Sequence, residues 1–409
     1  MEPWTILVIG LLILGISTPL WTTVGLLRRI GELQNASSPR HLARRAENPV
    51  TPSQVAVLIA AHNEELVISE TIASALMLVP AGNIHVVSDG SSDNTADIAN
   101  AAGVNCLELF PNRGKAGALA AGIEYFDLVN NYEVMLLLDA DTRLTPDYLK
   151  TGLPLFTAPD VVAVAGRAKS LPDRGRRNPV ARILLTYRER LYTAVQLLLK
   201  YGQASGPANV VNIVPGFASM YRTRILPEID VAAPGLLIED FNMTFEVHAK
   251  KLGRIEFHPS AAIAYTQDPD NLGDYVRQMR RWQLGFWQTV RRHGMHRGLF
   301  WTVLLLHIVE LISASLVLIL AIPIVIFSQL TDVSLLRPQD LLIGVMLPDY
   351  LLTVFAACFL RRPSMLLWGL TYPLMRLLDS FICLATLAQA WTRTTTGTWA
   401  SPTRRLQPS

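Results

Sequence analysis

The stretch "VMLLLDADT", residues 134–142, decides the fold. Its unbroken apolar start suits a strand buried on both faces, as in a parallel sheet covered by helices. The run then stops at Asp139, Ala140 and Asp141. If the chain stays extended there, residues two apart point the same way and both carboxylates crowd one side. Two anions a few Å apart raise one another's pKa and destabilise the fold, so a positive group is expected beside them.

Similar runs lie on either side. "VAVLIAA" (55–61), "IHVVS" (84–88) and "VVAVA" (161–165) are further strand candidates, and 64–79 and 114–129 have helical length and spacing. This alternation predicts an α/β fold with a mostly parallel sheet and helices on both faces. Ligands of such sheets bind beyond the carboxyl ends of the strands. The polar clusters fall there: His62-Asn63-Glu64-Glu65, then Asp89-Gly90-Ser91-Ser92-Asp93, then Asp139-Ala140-Asp141.

The rest of the chain is greasy. Of 409 residues, 50% are hydrophobic and only 17% charged, with a net charge of +3. "WTILVIGLLILGISTPLWTTVGLL" (4–27) is uncharged and runs into Arg28 and Arg29. As one helix it reaches roughly 36 Å, enough to cross a bilayer. A cleaved signal peptide would carry its basic residues before the apolar run, so 1–33 is expected to be a transmembrane helix. Residues 34–54 read as a linker, and further apolar segments lie at 301–328, 341–360 and 365–391 within a membrane region, 300–391. Arginines follow the first span (Arg28, Arg29, Arg40, Arg44, Arg45) and precede the second (Arg291, Arg292, Arg297). By the positive-inside rule, the polar middle of this multi-pass cell-membrane protein faces the cytoplasm. Cys106, Cys358 and Cys383 are spaced for neither a disulfide framework nor a zinc site.

Each polar cluster also has a plain structural reading. A lone D-x-D is more often a capped strand end, and "DGSSDNT" (89–95) a capped turn. "NRGKAGAL" (112–119) is on its own a solvated helix start, and it lacks P-loop and G-x-G-x-x-G spacing, which argues against an ATPase or a dehydrogenase. Glu239-Asp240 in "LLIEDFNMTFEVHAKKLG" (236–253) suits an ordinary first helical turn, or a general base. "YVRQMRRWQLGFWQ" (275–288) suits a helix lying on anionic lipid.

Taken in order, "AAHNEE", "VVSDGSSDNT", "NRGKAGAL", "LLLDADT", "PGFASMYR", "IEDFNMT" and the Q-x-x-R-W of Gln278, Arg281 and Trp282 resemble the processive family 2 glycosyltransferases. These are the cellulose, chitin, hyaluronan and poly-N-acetylglucosamine synthases, and the resemblance covers roughly residues 55–288. It implies a GT-A catalytic domain over 55–275, followed by interfacial helices (276–299). It further implies inverting transfer from a nucleotide sugar, usually a UDP-sugar, with Mg²⁺ or Mn²⁺.

By the same resemblance Asn63, Glu64, Asp89, Lys115, Asp139, Gln278 and Arg281 bind the nucleotide sugar, and Asp141 ligates the metal. Asp240 is the base, and Phe217, Glu239 and Trp282 meet the acceptor. The tail 392–409 is expected on the cytosolic side, where "GTWASPTRR" (397–405) resembles a loop that closes over the nucleotide. Partners implied are the nucleotide-sugar donor, a growing glycan or lipid acceptor, membrane lipid, and an oligomer or export partner; no nucleic acid is expected. Transfer of a single sugar to a lipid or protein, and a catalytically silent membrane scaffold, are the competing readings. One conflict stands: three C-terminal crossings would put the tail outside, unless the segment at 365–391 lies in the interface or re-enters.

Overall fold

A computed structural model describes residues 3–35, 49–171, 178–331 and 337–392. Two helices, α1 (Pro3–Leu14) and α2 (Ser17–Asn35), open the chain. Then come β1 (Val55–Ala61), α3 (Ile68–Leu76), β2 (Ile84–Asp89), α4 (Thr95–Ala101), β3 (Asn105–Leu109), α5 (Gly114–Tyr125) and β4 (Val134–Asp139). They are followed by β5 (Arg143–Leu144), β6 (Val161–Val164), β7 (Arg167–Ser170), α6 (Pro179–Ala194), β8 (Ala218–Arg222), α7 (Glu239–Ala249), β9 (Arg254–Glu256), β10 (Ile263–Thr266) and α8 (Leu272–His293). Three long helices close the chain: α9 (Leu299–Leu330), α10 (Pro338–Leu360) and α11 (Tyr372–Thr392).

The main sheet has the order β3-β2-β1-β4-β8-β6-β9, and β5-β10-β7 form a second, small one. Strands β3, β2, β1 and β4 pair in parallel, while β8 runs antiparallel to β4 and β6. The sheet is therefore mostly parallel. Alternation along β1 and β4 feeds two cores. Val57, Ile59, Leu136 and Leu138 pack with Ile68 and Ile72 on one face; Leu58, Met135 and Leu137 pack with Leu119 and Tyr221 on the other. Each such large side chain contributes about 1.5–3 kcal/mol on burial.

Register brings the chemistry to one rim. Ala61 lies opposite Ser88, Ala60 opposite Asp139, and Asp89 opposite Leu109. Because β8 is antiparallel, its first residue, Ala218, meets Leu138, so Gly216 and Phe217 join the same rim.

Several expectations are corrected. The helix expected over 64–79 begins only at Ile68, because Glu64 and Val67 close a turn in which the Val67 N–H donates to the Glu64 carbonyl at 3.0 Å. The helix expected to reach 129 stops at Tyr125, where Asp127 adopts a left-handed φ of 49°. The first apolar stretch is not one straight helix: α1 and α2 meet at a 67° bend. Gly15 turns the corner with φ 75°, and the Ser17 N–H donates to Glu310 Oε1 at 2.8 Å. A Cβ on Gly15 would be strained at that φ and would lie 2.7 Å from the Glu310 carboxyl carbon, displacing the carboxylate that holds Ser17.

Before the bend, α1 packs Ile9 and Ile13 on Leu318 of α9, while α2 beyond it docks on the α/β domain. Arg28 of α2 reaches Glu256 at 2.6 Å. Helices α9 and α10, and the helical stretch from Ser364 to Thr392, are each long and apolar enough to cross a membrane.

The charged groups of these apolar helices pair between helices. Asp349 of α10 takes Arg190 at 2.7 Å and Arg376 at 3.3 Å. Asp379 accepts the hydroxyls of Tyr187 at 2.8 Å and Tyr275 at 2.7 Å. Helix α11 also lies along α8, where Arg280 donates to Gln389 at 2.9 Å and Arg291 to the Ala390 carbonyl.

Candidate active site

The loops after β1 and β2 lock together. Asn63, in a left-handed conformation (φ 55°), donates its N–H to Ser91 Oγ at 3.1 Å and accepts the Ser92 N–H at 2.8 Å. Glu65 and Asp93 bond each other's loops in the same reciprocal way: the Glu65 N–H donates to Asp93 at 3.0 Å, and Glu65 accepts the Asn94 N–H at 3.2 Å. Glu64 is buried beneath, its N–H donating to Thr95 Oγ1 at 2.9 Å. Asp89 is also buried, which raises its pKa. Its Oδ1 accepts the Arg113 N–H at 2.7 Å, and its Oδ2 has no hydrogen-bond partner among the described residues. Asn112 accepts the Gly114 N–H at 2.8 Å and so fixes the start of α5.

That start aims Lys115 at the charged centre. Lys115 Nζ lies 2.7 Å from Asp139 Oδ1 and 2.7 Å from Glu239 Oε1. Burial works against the ammonium, but the two carboxylates hold its pKa above the ordinary lysine value. The cation expected for Asp139 and Asp141 is a divalent ion brought with the nucleotide; the positive group that stands beside Asp139 here is a lysine of this chain. Phe217 contributes its carbonyl, which accepts the Asp139 N–H at 2.9 Å.

Asp240 follows Glu239 in the first turn of α7. It accepts the Gly216 N–H at 3.3 Å and the Phe241 N–H at 2.7 Å. Burial and the adjacent Glu239 charge push its pKa up to about 7, against the opposing pull of Lys115 and the two N–H groups. A carboxyl poised there takes and gives a proton near neutral pH.

The chain does not stay extended past Asp139, so the alternation that would set Asp139 and Asp141 on one side is broken there. The Thr142 N–H donates to the Asp139 carbonyl at 3.0 Å, so the chain turns at the end of β4. Asp141 follows that turn and lines a small cavity with Glu70, Arg143 and Gln267. Glu239, expected at the acceptor, is buried and occupied with Lys115.

Gln278 and Trp282 are gathered by Arg188, a residue that sequence patterns do not single out. Its fully buried guanidinium donates to Gln278 Oε1 and lies 4.2 Å from the Trp282 ring centroid. Asp268 balances it at 3.6 Å and also accepts the Tyr192 hydroxyl at 2.9 Å. One face of Trp282 is therefore covered by a cation. Arg281 is half-buried and makes no ion pair among the described residues. Lys200 is the second residue missed. Burial lowers its pKa to about 8, opposed by the charge of Asp240. A bulge of π-helix over Val195–Lys200 was the structural signal, but it is not legible in sequence.

Among the described residues no group of three or more His, Cys, Asp or Glu side chains is arranged to hold a metal. One or two carboxylates beside a substrate phosphate are the usual protein share of a Mg²⁺-type site, and Asp141 at this rim fits that pattern. The tail expected to close over a nucleotide lies outside the described residues.

Poly-beta-1,6-N-acetyl-D-glucosamine synthase of Staphylococcus epidermidis is 27% identical over 251 residues, 58% of this chain and 57% of that protein. The synthase of Staphylococcus aureus strain COL is 27% identical over 237 residues, 56% of this chain and 54% of its own. The chain thus spans little more than half the length of either relative. Among solved structures, the mannosyltransferase PcManGT of Pyrobaculum calidifontis, in complex with GDP-Man and Mn²⁺, superposes with a TM-score of 0.55 at 14% identity. That likeness extends over 91% of this chain and 99% of that one, and the shared fold is GT-A. The description "Glycosyl transferase family group 2" matches residues 134–388, well over half the sequence, and the protein is a glycosyltransferase of that family.

Proposed function

We propose that the protein elongates a polysaccharide, transferring an N-acetylhexosamine from a UDP-sugar with inversion at the cytoplasmic face of the membrane. The observation that carries this reading is the cluster of Lys115, Asp139, Glu239 and Asp240, in which one carboxyl, Asp240, is held near neutral pKa beside a fixed cation. The names of the two staphylococcal relatives support the sugar class, and the Arg188-braced Trp282 supports a polymer acceptor.

In this mechanism Asp240 takes the proton of an acceptor hydroxyl as that oxygen bonds to the anomeric carbon. The carbon–oxygen bond to the diphosphate breaks on the opposite face, and its electron pair leaves with the nucleoside diphosphate. Lys115 and Arg281 neutralise the charge that grows there, an electrostatic contribution made without reorganisation. Mg²⁺ or Mn²⁺, held by Asp141 and the donor's phosphates, would add Lewis-acid neutralisation when bound. Asn63, Glu64 and Asp89 shape the nucleotide cradle from below: their bonds fix the 61–65, 89–95 and 112–114 loops. Gln278 binds the donor beside Arg281, and Trp282 positions the acceptor.

The test is the purified full chain incubated with UDP- and GDP-sugars and Mn²⁺ or Mg²⁺, read by product mass. A ladder of N-acetylhexosamine increments from the UDP donor is expected. Products that stop at one sugar would replace the polymer reading with single transfer. Absence of nucleoside diphosphate release from every donor would reject the catalytic reading.

A further inference from the structure

A separate cavity of about 220 Å³ lies where β7 and α6 meet the far end of α10. It shares no lining residue with the Lys115 cluster. Arg167 and Lys169 of β7 and Arg362, just past α10, line it. Arg362 is neutralised, since both oxygens of Glu189 lie 2.6 Å from it. The other two cations are not. Among the described residues neither Arg167 nor Lys169 makes an ion pair; Arg167 donates to the Pro259 carbonyl and rests 5.7 Å from the Phe359 ring centroid. Burial, then the charge of Arg167, lowers the pKa of Lys169, with Asp147 opposing. Half-buried cations side by side are unfavourable unless an anion joins them.

The position says which anion. Helix α10 is long and apolar enough to cross a membrane, and its Leu360 end opens onto the cavity, so the cations stand at headgroup depth. Phe359, 47% exposed, continues an apolar flank away from them. We propose that this cavity seats the phosphate headgroup of an anionic membrane phospholipid, with Arg167 and Lys169 on the phosphate and the α10 flank against the acyl chains. The bound lipid ties the small β5-β10-β7 sheet to the membrane beside the site.

The test uses the full chain in neutral detergent, with retained lipid measured by native mass spectrometry and Tm by scanning fluorimetry. Phosphatidylglycerol is expected to bind on the order of tenfold more tightly than phosphatidylcholine and to raise Tm by a few degrees. The Arg167→Gln/Lys169→Gln double variant should lose both responses. Lys169→Gln alone, at a half-exposed position, should lose most of the preference and serves if the double variant does not fold. Equal retention of the two lipids, an unchanged preference in the variants, or the same Tm rise with inorganic phosphate alone would overturn the proposal. None of these readouts depends on sugar transfer, so their failure is distinct from failure of the catalytic reading.

Discussion

The Gly216 N–H points at Asp240 Oδ2 across 3.3 Å, and a larger residue there would press on the charged cluster. A Cβ there would lie 2.8 Å from Glu239 Oε1 and 3.2 Å from Lys115 Nζ. Gly216→Ala should therefore part the Lys115–Glu239 pair while leaving β8 in register. Transfer is expected to fall by roughly 10–10²-fold with Tm nearly unchanged, since misplacement of about 1 Å costs that much in rate. Steady-state kinetics beside a melting curve checks both halves; an unaffected rate would show the pair to be dispensable.

The raised pKa of Asp240 gives opposite signs for activity and stability. As a base it must be ionised, so kcat/KM should fall as pH drops through about 7 and level off above it. Stability runs the other way. The folded value, about 7, exceeds the ordinary 3.8, so the contribution of this group is complete below 3.8 and is lost as pH rises through about 7. Asp240→Asn should then match wild-type Tm near pH 4 and exceed it by a few degrees at pH 8. A variant that melts earlier at pH 8 would contradict the assigned burial cost.

Arg188 holds Gln278, Trp282 and Asp268 at once. Arg188→Met leaves Asp268 buried without its cation, a loss expected at about 3–5 kcal/mol. Arg188→Lys keeps the charge but not the planar stack, and is expected to fold while raising the acceptor KM more than it lowers kcat. A Lys variant with wild-type acceptor KM would confine Arg188 to a structural role.

The end of α11 is tied to α8 by Arg280 and Arg291, and α8 packs on α7 through Phe241 and Phe286, whose ring centroids are 5.3 Å apart. Thr392 should therefore emerge on the side of the membrane that carries the GT-A domain. With that domain in the cytoplasm, as proposed, and Cys106, Cys358 and Cys383 replaced by Ser, Thr392→Cys in sealed cells should resist an impermeant maleimide until the membrane is opened. Labelling of intact cells would place α11 across the bilayer.

These relationships differ in how far the sequence discloses them. The apolar runs of β1, β2 and β4 and the polar clusters at their ends are legible, because a parallel sheet aligns carboxyl ends whatever the register. Strand β8 is not, because "ASMYR" mixes polar and apolar residues and its antiparallel pairing with β4 closes over a distance no local pattern reports. The cation beside Asp139 is visible as Lys115 only once α5 and β4 stand side by side. Arg188 lies about ninety residues before the Gln278 it holds, inside an unremarkable amphipathic helix. The bend at Gly15 is equally hidden, since Glu310, which accepts the Ser17 N–H, belongs to another helix.

Replacing Asp240 by Asn tests the account most directly. With UDP-N-acetylglucosamine and Mn²⁺, the variant should lose transfer by about 10²–10⁴-fold, the usual share of a general base, while binding UDP within about twofold of wild type. Wild-type turnover by Asp240→Asn would remove this carboxyl from the chemistry and, with it, the mechanism built on the Lys115 cluster.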